Sequence, residues 1–229
     1  MLILGIDTAS RKGSIALARS GQPVADVRLD EGGARARDLV ARIDVLLRGA
    51  GLRTDSLDGI AMSIGPGSFM GVRIGMATGK GLAYSLGIGL LGMSTLEALA
   101  RAVLPVAVST EEPICPAMEA GRGEVYAALF QKEGAGVRRL DPDRSWDPTV
   151  LAGELPRGAI VAGDGSATLM KAAAGIGRTL RDAGEIPPLA TTIAVWGTLT
   201  QRSGATYTPG VPSPNYVRPW DAEAARRKK

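Results

Sequence analysis

Gly59-Ile60-Ala61-Met62-Ser63-Ile64, followed at once by Gly65-Pro66-Gly67-Ser68-Phe69-Met70-Gly71-Val72-Arg73-Ile74-Gly75, is the stretch that decides the fold. Its first part is a short, largely apolar run, which reads as a buried strand. Gly65 and Gly67 permit unusual backbone angles and Pro66 stiffens the turn between them. Ser68 then stands where an N-cap accepts from the first free amides of a helix. Helical spacing continues to Leu86, and Gly87 stops it. A strand entering a helix through a tight turn is half of a crossover unit, so the sheet is at least partly parallel.

Upstream, Leu2–Ile6, Ser14–Ala18 and Val24–Leu29 read as strands. The polar turn Asp7–Gly13 and the turn signal Ser20-Gly21-Gln22-Pro23 separate them, which suits an antiparallel meander. Ala36, Leu39, Val40, Ile43, Leu46 and Leu47 then recur at three- and four-residue steps, the pattern of one helix face, with Gly49 and Gly51 as its end. Downstream, Ile88–Met93 reads as a strand. Ser94 and Glu97 form a capping box for a third helix that Pro105 terminates. The order strand, strand, strand, helix, strand, helix, strand, helix is that of a ribonuclease-H-like lobe in an α/β protein, spanning residues 1–105. Residues 106–229 begin in the same way. The strand Ile114–Met118 ends in Glu119, Ala120–Gly123 turns, and Glu124–Gln131 reads as one strand. Strand, carboxylate, turn and strand therefore occur twice, as in a degenerate duplication. Beyond that, Ala159–Ala162 reads as a strand before Gly163-Asp164-Gly165, and Thr192–Arg202 as a helix. Asp141–Pro148, Pro187–Thr191 and Ser203–Asn215 read as loops. The second lobe is expected to be abbreviated.

The chain has 229 residues, with 27 Lys and Arg against 23 Asp and Glu. Arg226, Arg227, Lys228 and Lys229 hold the whole surplus, so the body is neutral and lacks the basic excess of a large nucleic-acid groove. There is no histidine and a single cysteine, Cys115. That removes imidazole bases, His-dependent triads, histidine metal ligands, cysteine-rich zinc sites and internal disulfides. Catalysis by this chain would have to use Asp, Glu, Lys or Ser. Cys115 lies in an apolar strand and reads as core. No apolar run approaches the ~20 residues of a membrane span, and the opening reaches Asp7 without a basic leader. The expectation is a cytoplasmic protein.

Two groups of residues carry candidate chemistry. The first comprises Asp7, Thr8, Ser10, Gly65, Gly67 and Ser68: a carboxylate at a strand end, hydroxyls beside it, and helix amides after a Gly-rich turn that suit a nucleotide or other anion. An ordinary turn with a helix cap explains the same residues. The second is the helix after Gly71. Gly71, Gly75, Gly79 and Ala83 are four apart, a narrow stripe that lets another backbone approach, and each glycine costs roughly 1 kcal/mol relative to Ala. Val72 and Met76 flank the stripe, and Arg73, Lys80 and Tyr84 are its polar side. Either a partner or the rest of the chain covers this helix and its predecessor.

The Gly65–Gly75 string, with Ile3–Ser10, Gly123-Glu124-Val125-Tyr126, Gly163-Asp164-Gly165 and Pro214-Asn215-Tyr216-Val217-Arg218, resembles the TsaB (YeaZ) family. That family is the dimerisation subunit of the bacterial complex that makes threonylcarbamoyladenosine in tRNA. The resemblance implies two ribonuclease-H-like lobes of the actin-like ATPase superfamily. It implies a non-catalytic scaffold that pairs with TsaD, the transferase acting on adenosine 37 of tRNAs reading ANN codons, and with the ATPase TsaE. It also implies a homodimer when the chain is alone, contact with tRNA only through the complex, and no membrane. TsaD holds its metal on histidines, and this chain has none. The implied interface is the pair of helices at about 35–48 and 72–86, with Ala36, Leu39, Val40, Ile43, Leu46, Leu47, Val72, Arg73, Gly75, Met76, Gly79 and Lys80 as its residues. ATP or ADP with Mg²⁺ would sit at a partner interface, and no catalytic or metal residue is assigned. Met70 stands where the family usually has Thr, Glu119 where Asp is usual, and Gly121 where Arg is usual. Two other readings remain: an ATP-dependent small-molecule kinase using Asp7 and Asp164, and a peptidase pairing Ser68 with Lys80.

Overall fold

The computed structural model describes residues 1–29, 38–107, 112–201 and 212–217. Ala36 and the Arg226–Lys229 tail lie outside the described residues. The first sheet contains β1 (Leu2–Asp7), β2 (Ser14–Arg19), β3 (Gln22–Arg28), β4 (Gly59–Ser63) and β5 (Gly89–Met93), in the spatial order β3-β2-β1-β4-β5. The meander β1–β2–β3 is antiparallel, and β4 and β5 join in parallel. Pro23 falls inside β3, where an edge strand tolerates a residue without an amide proton. Helices α1 (Leu39–Gly49), α2 (Phe69–Leu86) and α3 (Thr95–Ala102) complete the lobe.

The second sheet repeats that plan. Its strands are β6 (Pro113–Gly121), β7 (Glu124–Ala127), β8 (Phe130–Glu133), β9 (Gly136–Arg139), β10 (Arg144–Trp146), β11 (Ile160–Ala162) and β12 (Arg181–Asp182). The path β10-β7-β6-β11-β12 has the same sense as β3-β2-β1-β4-β5, with an antiparallel hairpin on one side of the first strand and parallel strands on the other. Helices α4 (Pro148–Glu154), α5 (Ser166–Gly175) and α6 (Leu189–Gln201) occupy the places of α1, α2 and α3. The second lobe is thus shortened in its strands other than β6 and in α4 and α5, but not in the number of its elements.

Several expected elements are corrected. The single strand over Glu124–Gln131 is two strands, because Leu129 leaves the ladder: its amide donates to the Asp141 carboxylate and its carbonyl accepts from the Leu140 amide at 2.8 Å. Asp141–Pro148 contains the edge strand β10, three residues long. Two helices not expected from the pattern are present. Asp147 starts α4 by accepting from the amides of Thr149 (2.8 Å) and Val150 (3.2 Å); α5 follows Gly163-Asp164-Gly165. Helix α6 begins at Leu189, inside the stretch expected to be a loop. Although it lies in the sequence of the second lobe, α6 packs on the first sheet. A Cβ on Gly5 would stand 2.8 Å from Ala194 Cβ, and one on Gly197 2.9 Å from both Ala61 and Ile3.

The last helices of the two lobes lie between the sheets. Ile3, Ala61 and Met93 of the first sheet, Ile114, Met118, Phe130 and Ile160 of the second, Leu96 and Leu99 of α3, and Leu189 and Ile193 of α6 form one core. The outer face of the first sheet is covered by α1 and α2 through Leu39, Ile43, Leu47, Met76 and Ala83. The outer face of the second is covered by α4 and α5 through Leu151, Leu155, Leu169 and Ala173. Cys115 is fully buried in that second outer core.

Candidate functional site

Asp7 ends β1 and is completely buried. Its carboxylate accepts from Ser63 Oγ at 2.7 Å, from Ser10 Oγ, and from the amides of Ala9 (3.1 Å) and Ser10 (3.3 Å). Burial raises its pKa although each of these bonds favours the charged form. The group locks β1, β4 and the β1–β2 turn together and presents no oxygen to a ligand. Thr8 turns the other way, its Oγ1 donating to the Gly71 carbonyl at 2.7 Å.

The Gly65–Gly71 turn clasps the same β1–β2 turn. The Ser68 amide donates to the Ala9 carbonyl at 2.8 Å, and Gly67, at φ +148, brings its Cα so close that a Cβ would stand 2.9 Å from the Ala9 carbonyl carbon. Ser68 Oγ accepts from the Gly71 amide at 3.1 Å, an ordinary cap. The anion reading of Gly65, Gly67 and Ser68 is corrected to this extent: the Ser68 and Gly71 amides are already used by the chain's own oxygens. The Ser68–Lys80 pair is also corrected. Twelve residues of helix separate the two by about 18 Å, far beyond hydrogen-bond reach.

Between the lobes lies a cleft of about 220 Å³, lined among others by Ser10, Arg11, Lys12, Arg28, Asp164 and Glu185. Asp164 accepts from the Glu119 amide at 3.1 Å; burial, and after it the Glu119 carboxylate, raise its pKa, and Arg11 opposes them. Glu119 itself accepts from Thr168 Oγ1 at 2.6 Å. The cleft is below the roughly 300–1,000 Å³ of typical small-molecule sites. Asp7 and Asp164, which the kinase reading pairs, do not share an open site, since only Asp164 lines the cleft. Among the described residues no three His, Cys, Asp or Glu stand where they could hold a metal ion together.

The outer surface of α1 and α2 is different in kind. Of the residues expected there, Leu39, Ile43, Leu47, Val72, Gly75, Met76 and Gly79 are buried in the chain's own lobe, and Leu46 packs against the same core. The glycine stripe faces inward. A Cβ on Gly71 would collide with the Thr8 carbonyl, one on Gly75 with Thr8 Oγ1, and one on Gly79 would stand 3.0 Å from Met62 Sδ. The close backbone approach that the stripe permits is therefore to the end of β1 and to β4, and those seven residues leave little or no surface open on this face. Val40 and Arg73 are exposed and Lys80 is half-buried. The outward positions that the implied interface set does not include are Val45 on α1 and Met70 and Tyr84 on α2. Val40 is 56% exposed, Val45 70%, Met70 61% and Tyr84 80%. The signal for α2 was legible, since Met70, Arg73, Ala77, Gly81 and Tyr84 recur at helical steps.

Two lobes of one strand order, each sending its last helix into a shared middle layer with a cleft between them, define the two-lobed actin-like class of α/β proteins. A family model described as "TsaD: tRNA N6-adenosine threonylcarbamoyltransferase" matches residues 34–146. The tRNA threonylcarbamoyladenosine biosynthesis protein TsaB of Escherichia coli (strain K12) is 35% identical over 137 residues, 60% of this chain and 58% of that protein. The protein of the same name from Bacillus subtilis (strain 168) is 32% identical over 145 residues, 63% of this chain and 62% of that one. The solved YeaZ from Pseudomonas aeruginosa has a TM-score of 0.77 at 25% identity, covering 94% of this chain and 99% of that one. The chain is similar to the TsaB (YeaZ) proteins in sequence over about 60% of its length and in fold over nearly all of it. Its match spans 58% and 62% of the length of these two curated relatives.

Proposed function

We propose that this chain is a non-catalytic subunit that pairs with a TsaD-type transferase, and with a TsaE-type ATPase, for threonylcarbamoylation of adenosine 37 in tRNAs reading ANN codons. The supporting observation is the α1–α2 surface, where Val40, Val45, Met70 and Tyr84 are exposed on helices that already cover a complete core. Apolar surface beyond what the core requires marks a partner face. The similarity to TsaB proteins suggests the partner class, and a chain without histidine leaves metal chemistry on histidines to that partner. On this reading the chain pairs with itself through the same face when the transferase is absent, meets tRNA only through the complex, and works in the cytoplasm. The small cleft leaves any ATP or ADP with Mg²⁺ to the interface with the partners.

The test is reconstitution with the transferase from the same host. Val45→Glu with Tyr84→Glu should weaken association at least about tenfold, the scale of one or two truncated hot-spot residues. Both side chains are largely exposed, so the melting temperature should not move. Association and tRNA modification at wild-type levels in the double variant would place the interface elsewhere. Modification of tRNA by this chain alone would end the non-catalytic reading.

A further inference from the structure

The motif Pro214-Asn215-Tyr216-Val217 has no part in the cleft or in the outer faces of α1 and α2 as described above. In the fold, Pro212–Val217 lies across the carboxyl ends of β4 and β5. The Asn215 amide donates to the Ile64 carbonyl at 2.7 Å, and a Cβ on Gly65 would stand 2.7 Å from the Asn215 carbonyl oxygen. Pro212 packs so tightly on Gly92 that no Cβ fits there. Two side chains fasten this strap. Asn215 Nδ2 donates to Asp143 Oδ2 at 2.6 Å. Tyr216 packs against Phe69 with centroids 5.3 Å apart and the rings tilted by 38°, and its hydroxyl accepts from Arg73 Nε at 3.3 Å. The Arg73 guanidinium in turn lies 3.8 Å over the Phe69 ring.

Asp143 is the fixed end. It belongs to the second lobe, between β9 and β10, and its side chain is only 6% exposed. Besides Asn215 it accepts from Ser94 Oγ, the N-cap of α3, at 2.7 Å, and it pairs with Arg139. One carboxylate therefore joins the second lobe, the start of α3 and the strap, and the strap joins them to the first turn of α2.

We propose that Asp143 and Tyr216 are positioning residues of the partner face. The strap, latched to the second lobe by Asp143, holds Phe69 and Arg73 in one arrangement at the N-terminal end of α2. Held between the Tyr216 hydroxyl and the Phe69 ring, the guanidinium keeps four further N–H donors, and these fit it to a carboxylate on the partner. An unfastened arginine would have to be ordered on binding, so the latch acts by preorganisation. This inference rests on the partner-face reading given above.

The experiment uses the full chain as wild type, Asp143→Ala, Tyr216→Ala and Tyr216→Phe. Amide hydrogen exchange of the peptides covering 64–73 and 212–217 is measured, together with association with the transferase and with a second copy. Asp143→Ala should speed exchange in both peptides by about tenfold or more, with α4 and α5 unchanged, because the Asp143 bonds run to Asn215, Ser94 and Arg139 and to neither of those helices. Both Ala variants should weaken association by about tenfold, and Tyr216→Phe, which keeps the ring and loses the hydroxyl, by less. Tyr216 is 44% exposed, so its replacement separates loss of the strap from loss of the fold. Unchanged exchange at 64–73 in Asp143→Ala overturns the inference, as does faster exchange with association intact. If the wild type associates with neither partner, the function proposed above fails. The latch is then decided by exchange alone, which supports it if faster at 64–73 and overturns it if not.

Discussion

Replacing Gly75 by Ala and Gly81 by Ala should shift stability in opposite directions, although the two lie six residues apart on one helix. Both gain about 1 kcal/mol from helix propensity, because glycine loses more backbone freedom on folding than alanine. At Gly81 nothing lies within 4 Å of the added Cβ, so the gain stands alone. At Gly75 the Cβ collides with Thr8 Oγ1 and meets Met62 Cε at 3.5 Å. Thr8 is only 3% exposed and can yield only by turning its hydroxyl away from the Gly71 carbonyl, which costs about 0.5–1.5 kcal/mol. Overpacking adds about 1–3 kcal/mol. The net loss at Gly75 is then about 0.5–3.5 kcal/mol after the propensity gain. For a chain of this length that is a fall in melting temperature of roughly 1–14 °C, against a rise of about 2–4 °C for Gly81→Ala. Urea unfolding followed by circular dichroism measures both. A neutral or stabilising Gly75→Ala would mean that the stripe does not press on β1 and that a partner surface had been mistaken for a core. A destabilising Gly81→Ala would mean that the outer face of α2 is more crowded than the structure shows.

Asp7→Asn should become relatively more stable than wild type as pH rises from about 4 toward neutrality. Burial raises the Asp7 pKa above its ordinary 3.8, so the folded state holds the proton more readily than the unfolded state. The contribution of Asp7 to stability is therefore complete below the unfolded value and is lost as pH rises through the folded one. Each tenfold difference in proton affinity between the two states is worth about 1.4 kcal/mol. Paired urea titrations across that range check it, and a pH-independent difference would refute it. Cys115, whose thiol is pushed up to about 12 by burial and secondarily by Asp141, should resist maleimide at about pH 8 in the folded protein and react fully in denaturant. As the only cysteine, it gives an unambiguous mass readout, and stoichiometric labelling of the native chain would contradict its burial.

Much of the first lobe was legible because its signals are local. Leu2–Ile6 and Gly59–Ile64 are short apolar runs beside glycines and polar turns, Leu39, Ile43 and Leu47 keep a helical period, and Ser68 and Ser94 are caps in the places they were expected. What failed is what depends on distant chain. Helix α2 is apolar on more than one side, and its sequence does not say which side meets the sheet. The stripe of glycines reads equally as a bed for a partner or for Thr8 and Met62. The docking of α6 on β1 is decided by Gly5 and Gly197, nearly two hundred residues apart. The strands β10 and β12, of three and two residues, are too short to show a period. The site suffered in the same way: Asp7 is a carboxylate at a strand end, but only the structure shows Ser63 and Ser10 closing over it.

The duplicated architecture sharpens the argument for where the partner binds. The helix pairs α1–α2 and α4–α5 hold equivalent positions on sheets of one strand order, so folding alone asks the same of both. They are not built alike. Helix α1 has 11 residues and α4 has 7; α2 has 18 and α5 has 10. The longer pair exposes four large apolar side chains, against Val150 on α4 and Ile176 at the end of α5. The extra length, and the two further exposed apolar side chains it carries, do not follow from covering a sheet, because the shorter pair covers its sheet with fewer residues. The inward glycines of α2 act on the same asymmetry. By letting 18 residues lie close to β1 and β4, they leave side chains of ordinary size standing on a helix held near the sheet, and the Pro212–Val217 strap fixes the end of that helix nearest Phe69 and Arg73. A surface that is longer than the core needs, apolar where water would favour charge, and fastened at one end from the opposite lobe is what the proposed pairing with another folded chain would call for.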